Sequence, residues 1–140
     1  MKYPHKSRIL IVEDDQQISR MLTVVLERVG FQIKTVESGA SAIREATASR
    51  PDLVILDLNL PDTPGLQVCR LLRALYHPSV LPVLMFTGMN QPIDQLKGFA
   101  HGADAYLTKP CEINELVGTV SSLLEKVHQG ESESQLPIVD

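Results

Sequence analysis

The sequence predicts an α/β fold, a doubly wound, five-stranded parallel sheet with helices on both faces. Short aliphatic runs of strand length alternate with longer segments in which apolar residues recur every three or four positions, the spacing of one helix face. Single helical segments separate the runs. Strands connected by single helices lie parallel, and right-handed crossovers place those helices on both faces of the sheet.

The five strand–helix units occupy residues 8 to 127. The strands are predicted over residues 8–12, 31–36, 53–57, 82–86 and 103–107. The helices are predicted over residues 18–29, 39–48, 66–76, 92–101 and 113–127. Gly30 is a typical helix stop, and Ser38 is a typical N-cap for the second helix. The last helix has the clearest amphipathic pattern.

Composition limits the function classes. A chain of 140 residues with 44% hydrophobic residues is long enough for one domain with its own core. Its net charge of -4 gives no electrostatic footprint for nucleic acid. The apolar runs are shorter than the roughly 18 residues of a membrane span, and the first residues have no signal-peptide core. We therefore expect a cytoplasmic domain that binds neither nucleic acid nor membrane, with Cys69 and Cys111 as reduced thiols.

The chain is predicted to contain one domain with short extensions. Residues 1–7 form an N-terminal extension, residues 8–127 the folded domain, and residues 128–140 a polar, disordered tail or the start of a linker. The tail is too short for a second domain. Two alternatives follow: the domain stands alone, or it was cut from a longer protein with an effector domain beyond residue 140.

The central predicted strand ends in an acid. Leu53 to Leu56 form an apolar run that suits a strand buried on both faces, and Asp57 follows it. An unpaired carboxylate inside such a strand would be costly to bury, whereas one at the C-terminal end avoids that penalty. Open α/β sheets bind their ligands beyond this end of the strands. Asp57 is therefore the leading candidate for a functional residue.

Other strand ends contribute polar groups to the same edge of the sheet. They are Glu13 and Asp14 after the first strand, Thr87 after the fourth and Lys109 after the fifth. Clustered carboxylates repel one another unless a cation lies among them, and hard oxygen ligands favour Mg2+. An ammonium and a hydroxyl suit a phosphoryl group, and Asp forms acyl phosphates. Asp15 is expected to be a solvated acid in the first turn of a helix rather than a ligand.

The motifs resemble those of two-component response-regulator receiver domains, a chemotaxis-regulator-like family with a flavodoxin-like fold. The matching segments are 9–15, 56–62 with Gly65, 86–88 and 102–110, in the order and spacing of that family. The resemblance covers residues 7 to 127. It implies the strand order 2-1-3-4-5 and a phosphorelay switch whose partner is a sensor histidine kinase or a histidine phosphotransfer protein. Its output goes to a downstream protein or an attached effector domain.

The resemblance also implies a role for each matching residue. Asp57 is the expected phosphoacceptor and Mg2+ ligand, Asp14 a direct ligand, Glu13 a ligand through water, and Asn59 a ligand through its backbone carbonyl. Thr87 and Lys109 are expected to contact phosphoryl oxygens. Tyr106 is the expected switch aromatic, and Lys109–Pro110 an expected cis peptide. Such a domain is not an enzyme beyond Mg2+-dependent self-phosphorylation and slow self-dephosphorylation.

Departures from the family pattern and rival functions remain. Pro64 precedes Gly65 where a polar residue is usual, Gly88 is expected to make the site roomier, and the last helix lacks the basic residues of receivers that dimerise through their fourth and fifth elements. A haloacid-dehalogenase-type phosphatase needs an acidic residue two positions after its nucleophile, where this chain has Asn59. A nucleotide- or flavin-binding module needs a glycine-rich loop that the sequence lacks. A pseudo-receiver, a constitutive interaction module, is the main alternative.

Overall fold

The computed structural model describes residues 6–134, and their side chains as far as residue 127. Its strands are β1 Arg8–Val12, β2 Gln32–Val36, β3 Leu53–Leu56, β4 Val83–Thr87 and β5 Ala105–Thr108. Its helices are α1 Gln16–Val29, α2 Gly39–Ala48, α3 Gly65–Leu75, α4 Pro92–Ala100 and α5 Ile113–Ser134. Strands and helices alternate as predicted.

The strands form one parallel sheet in the order β2-β1-β3-β4-β5. This confirms the predicted fold class and strand order. Side chains of successive residues in a strand point to opposite faces of the sheet, so the central strands supply two cores. Leu10 and Val54 belong to the core that contains residues of α2 and α3. Ile9 and Ile55 belong to the core that contains residues of α1 and α5.

The ends of the first two helices follow local sequence rules. The Asp15 side chain accepts hydrogen bonds from the backbone N–H groups of Gln17 and Ile18, which makes it the N-cap of α1. Gly30 ends this helix with φ of 117°, a conformation that glycine adopts without a steric penalty. The Ser38 side chain caps α2 as predicted.

Most predicted boundaries lie within two residues of the observed ones, and the end of α5 differs most. β5 begins two residues later than predicted, at Ala105, because the backbone N–H of Ala103 donates to Gly98 and that of Asp104 donates to Val83 before the ladder with β4 starts. α5 continues to Ser134, so residues 128–134, predicted as disordered tail, are helical. A helix that packing has nucleated extends through its own backbone hydrogen bonds without an apolar stripe. The rest of the predicted tail, residues 135–140, lies outside the described residues.

Gly65 sets the approach of α3 to the end of β3. A Cβ atom at this position would lie 2.4 Å from the carbonyl oxygen of Asp57 and 2.5 Å from the Cα of Leu58. The backbone N–H of Gly65 donates to the Leu58 carbonyl at 2.8 Å. Only a residue without a side chain allows this contact between helix and backbone. Gly65 therefore helps to fix the segment that carries Asp57.

Two further features of residues 6–134 concern the state of the cysteines and the length and polarity of the helices. Cys69 and Cys111 are both free thiols, as predicted, and burial raises the pKa of Cys69 to about 11. Between residues 6 and 134, every helix is too short or too polar to cross a lipid bilayer.

Candidate functional site

The three acids named from the sequence meet at the C-terminal edge of the sheet. Hydrogen bonds from the N–H of Glu13 to the Val36 carbonyl (3.0 Å) and from that of Asp57 to the Val12 carbonyl (3.1 Å) carry the sheet pairing one residue past the strands. Glu13 and Asp57 are buried and Asp14 is exposed. One carboxylate oxygen from each of the three lies within 4.8 Å of the others.

Lys109 reaches this cluster from the segment after β5. Its Nζ donates to Glu13 Oε1 at 2.6 Å and to Asp57 Oδ2 at 2.9 Å. Its backbone N–H donates to the Thr87 carbonyl at 2.8 Å, and its Nζ lies 5.6 Å from the centroid of the Phe86 ring. The ammonium therefore bridges two buried carboxylates on neighbouring strands and offsets their mutual repulsion.

The surroundings shift the pKa values of two of these groups. Burial raises the pKa of Glu13, and the hydrogen bond from Lys109 opposes this only in part. Burial alone would lower the pKa of Lys109, but its hydrogen bonds to Glu13 and Asp57 outweigh burial and leave that pKa raised. Lys109 therefore remains a cation at neutral pH and supplies a permanent positive charge to the cluster.

Two further predicted site residues lie beside Asp57. The backbone N–H of Asn59 donates to Asp57 Oδ1 at 3.1 Å, so both oxygens of Asp57 accept hydrogen bonds. Thr87, the last residue of β4, is buried, and its Oγ1 accepts the backbone N–H of Met89 at 3.4 Å. Among the described residues, a Cβ built on Gly88 meets no atom within 4 Å, so this position borders open space.

Tyr106 lies on β5 and contacts the loop after β4. Its hydroxyl donates to the Met89 carbonyl at 2.6 Å, and its ring centroid lies 6.4 Å from that of Phe99. Burial raises the pKa of Tyr106, and the negative charges of Asp94 and Asp57 raise it further. The peptide bond between Lys109 and Pro110 is cis, as the family resemblance implied.

The acids form a donor set that suits Mg2+. Glu13, Asp14 and Asp57 present carboxylate oxygens, the ligand type that hard divalent cations prefer. Mg2+ commonly uses one or two protein carboxylates and completes its shell with water and phosphate oxygens. Asp15 uses its carboxylate to cap α1 and is not in this cluster. The residues present therefore fit a magnesium ion. Asp15 was predicted as an acid in the first turn of the helix, but it precedes that turn as the N-cap of α1.

Sequence reasoning missed Asp62. Its Oδ1 accepts the backbone N–H of Gly39 at 2.8 Å, and its Oδ2 accepts that of Ala40 at 3.0 Å. This ties the loop that follows Asp57 to the first turn of α2. A carboxylate at a helix N-terminus is a common stabilising contact, but here it comes from a loop 22 to 23 positions further along the chain. Only the fold brings the two segments together.

Comparisons with known proteins agree with this arrangement. The family described as "Response regulator receiver domain" matches residues 9–121. Over 135 residues, 96% of this chain, the sequence is 39% identical to the "DNA-binding response regulator MtrA" of Mycobacterium tuberculosis and covers 58% of it. It is 40% identical over 119 residues, 85% of this chain, to the "DNA-binding dual master transcriptional regulator RpaA" of Synechocystis and covers 49% of it. The chain thus spans about half the length of these relatives.

Solved structures give the same result for the fold. A CheY-like response regulator receiver domain protein from Methanospirillum hungatei superimposes with a TM-score of 0.84 at 25% identity, over 90% of this chain and 99% of that one. A two-component response regulator from Clostridium difficile gives a TM-score of 0.81 at 27% identity, over 86% and 97% of the two chains. The family resemblance inferred from the motifs is confirmed.

The Asp62 contacts predict a pH dependence of stability. The backbone N–H groups of Gly39 and Ala40 hold the pKa of Asp62 below its ordinary value of 3.8. Because the folded pKa is lower than the unfolded one, the carboxylate contributes stability above the unfolded pKa and loses it as the pH falls through the folded pKa. Urea unfolding of wild type and Asp62→Asn should therefore differ by a constant free energy above about pH 5.

When the pH falls below 3.8, the difference in the free energy of unfolding between the wild type and Asp62→Asn should shrink. An advantage that stays constant or grows in acid would mean that the Asp62 charge does not cap α2 in solution.

Proposed function

The chain belongs to the response-regulator receiver family, and we propose that Asp57 is its phosphoacceptor in a two-component phosphorelay. The phosphohistidine of a sensor histidine kinase or a histidine phosphotransfer protein supplies the phosphoryl group. A carboxylate oxygen of Asp57 forms the new bond to phosphorus while the bond between phosphorus and the histidine nitrogen breaks. The observation that carries this proposal is the double contact of Lys109 with Glu13 and Asp57 inside an acidic cluster.

The neighbours of Asp57 have separate roles in this proposal. Phosphoryl transfer depends mainly on positioning and charge neutralisation. Lys109 already contacts Asp57, so its ammonium is in reach of a phosphoryl oxygen bound to that carboxylate. Thr87 is buried at the end of the adjacent strand and presents a hydroxyl to a second oxygen. In this proposal, Lys109 and Thr87 contact the phosphoryl oxygens through hydrogen bonds and form no covalent bond to the acyl phosphate.

Asp14, Asp57 and the backbone carbonyl of Asn59 are the proposed direct ligands of Mg2+, and Glu13 is the proposed ligand through water. When bound, Mg2+ neutralises charge on the carboxylates and the phosphoryl oxygens. The exposure of Asp14 supports a direct role, because its carboxylate can exchange water for the ion. Glu13 is buried and already hydrogen-bonded to Lys109, which supports coordination of Mg2+ through a water molecule rather than directly.

The chemistry of the site does not extend to turnover of another substrate. A phosphatase of the haloacid-dehalogenase type needs a general acid two residues after its nucleophile, where this chain has Asn59. We therefore propose self-phosphorylation from phosphodonors and slow self-dephosphorylation as the only reactions of the domain. The pseudo-receiver alternative gains no support, because every acid of the cluster, Thr87 and Lys109 are in place.

The relatives support a proposal for the output of the switch. MtrA is named as a DNA-binding response regulator, and this chain covers 58% of it. We propose that residues 8–127 are the receiver domain, with residues 1–7 as an extension and residues 128–140 as a polar tail or a linker, of which residues 128–134 continue α5. An effector domain or a separate target protein then receives the signal. The domain itself, with its net charge of -4, is proposed to contact neither nucleic acid nor membrane, in the cytoplasm.

The phosphoacceptor assignment predicts a mass change. After incubation with acetyl phosphate and Mg2+, the intact mass of the domain should increase by one phosphoryl group, and hydroxylamine should remove it because acyl phosphates are labile to this nucleophile. Asp57→Asn should show no gain, and its far-UV circular dichroism should match that of the wild type. Phosphorylation of Asp57→Asn at an acyl linkage would exclude Asp57 as the acceptor. No gain in the wild type would favour the pseudo-receiver alternative.

The metal assignment predicts a difference between adjacent acids. Asp14→Asn should weaken Mg2+ binding by about tenfold or more, since losing a direct carboxylate ligand costs more than the ~1.4 kcal/mol that a factor of ten represents. Asp15→Asn is the matched control, because asparagine remains a good N-cap for α1. The chain has no tryptophan, so Mg2+ titrations are best followed by NMR. Equal effects of the two variants would refute the assignment.

A further inference from the structure

Helix α4 contacts the sheet through a glycine. Gly98 is the buried residue of this helix, whereas its large apolar residues Ile93, Leu96 and Phe99 are 53%, 66% and 48% exposed. A Cβ atom at Gly98 would lie 2.9 Å from the Met85 sulfur. It would also lie 2.9 Å from Cδ2 of the Tyr106 ring, closer than Cβ atoms normally approach another atom, and 3.1 Å from Cε2, which is tighter than most Cβ contacts. The missing side chain is therefore what allows the ring to lie against α4.

The backbone does not require glycine at this position. The glycines with positive φ among the described residues are Gly30 and Gly102, and Gly98 is not one of them. Alanine is the better residue for a helix interior, so glycine here weakens α4 locally. Gly118 of α5 is the comparison for Gly98, because a Cβ atom at Gly118 would meet no described atom within 4 Å. The close approach of the Tyr106 ring is the feature that Gly98 has and Gly118 lacks.

The position of the Tyr106 ring determines a contact with the loop after β4. The Tyr106 hydroxyl donates to the Met89 carbonyl at 2.6 Å. The backbone N–H of Met89 in turn donates to Thr87 Oγ1 at 3.4 Å. Met89 thus joins the tyrosine to the threonine beside the acidic cluster. A shift of the ring by about 1 Å away from Met89 stretches the first of these hydrogen bonds beyond bonding distance.

We propose that Gly98 is a positioning residue for Tyr106: it leaves the space that lets the ring lie on α4 and bond the Met89 carbonyl, and any side chain at this position displaces the ring. Through Met89, this space couples α4 to Thr87. The coupling part of the inference rests on the proposed function, in which Tyr106 and Thr87 move together on phosphorylation. The packing part stands on the distances around Gly98 alone.

The test compares Gly98→Ala with Gly118→Ala, since both introduce the same methyl group into a helix interior. The protein is labelled with 3-fluorotyrosine, and Tyr106→Phe identifies the Tyr106 signal among the three tyrosines in the 19F NMR spectrum. We expect Gly98→Ala to shift this signal and Gly118→Ala to leave it in place. In the wild type, Mg2+ with beryllium fluoride, a phosphoryl mimic, should also shift it, and Gly98→Ala should reduce that response.

A double-mutant cycle isolates the hydrogen bond to Met89. Tyr106→Phe removes only the hydroxyl, so it should lower the urea midpoint of the wild type. In the Gly98→Ala background it should have no effect, because the displaced hydroxyl has already lost its acceptor. In the Gly118→Ala background the full effect of Tyr106→Phe should remain.

Each outcome bears on one part of the inference. An unshifted Tyr106 signal in Gly98→Ala, or an undiminished effect of Tyr106→Phe in that background, would overturn it. A Tyr106 signal of the wild type that stays in place on addition of beryllium fluoride, while Gly98→Ala still shifts it, is a separate result. That result would support the packing role of Gly98 and exclude the switch role of Tyr106. If Gly98→Ala does not fold, Tyr106→Ala should restore folding by removing the ring. Failure to restore it would make Met85 the obstacle and refute the inference.

Discussion

The site depends on one electrostatic contact, the ammonium of Lys109 between the carboxylates of Glu13 and Asp57. The hydrogen bonds of 2.6 and 2.9 Å join the half-buried ammonium of Lys109, after β5, to the buried carboxylates that follow β1 and β3. Two carboxylates this close would otherwise repel each other, and removal of one partner from a buried ion pair leaves an uncompensated charge. Lys109 thus offsets the repulsion between the acids and lets them lie close together, so its positive charge competes with that of a divalent cation for the same carboxylates.

The order of the sheet is what makes this contact possible. β1 and β3 are neighbours, so the acids that follow them are adjacent, and β4 separates them from β5. Lys109 therefore reaches back past Phe86 at the end of β4 to contact both acids. Gly65 and Asp62 hold the loop after Asp57 from two sides, one against the strand and one against α2. The edge of the sheet that carries the acidic cluster is thus supported by residues outside that cluster.

The sequence predicts most of this fold because its signals are local. Aliphatic runs, helical periodicity, Gly30 and Ser38 act within a few residues, and the predicted elements match the structure. The end of α5 and the start of β5 were wrong, since helix propagation and ladder pairing do not depend on an apolar pattern. The bonds of Asp62 and the space beside Gly98 join residues distant in sequence or depend on side-chain shape. A linear pattern carries no signal for such contacts.

Lys109 is the counter-ion of the acidic cluster, and we propose that it also contacts the phosphoryl group. Lys109→Met tests both roles most directly, because methionine keeps the unbranched chain without the charge. In a Mg2+ titration followed by NMR, with phosphoryl uptake from acetyl phosphate measured on the same sample, we expect the variant to bind Mg2+ more tightly than the wild type and to take up less phosphoryl group. Unchanged Mg2+ affinity together with undiminished uptake would contradict both roles.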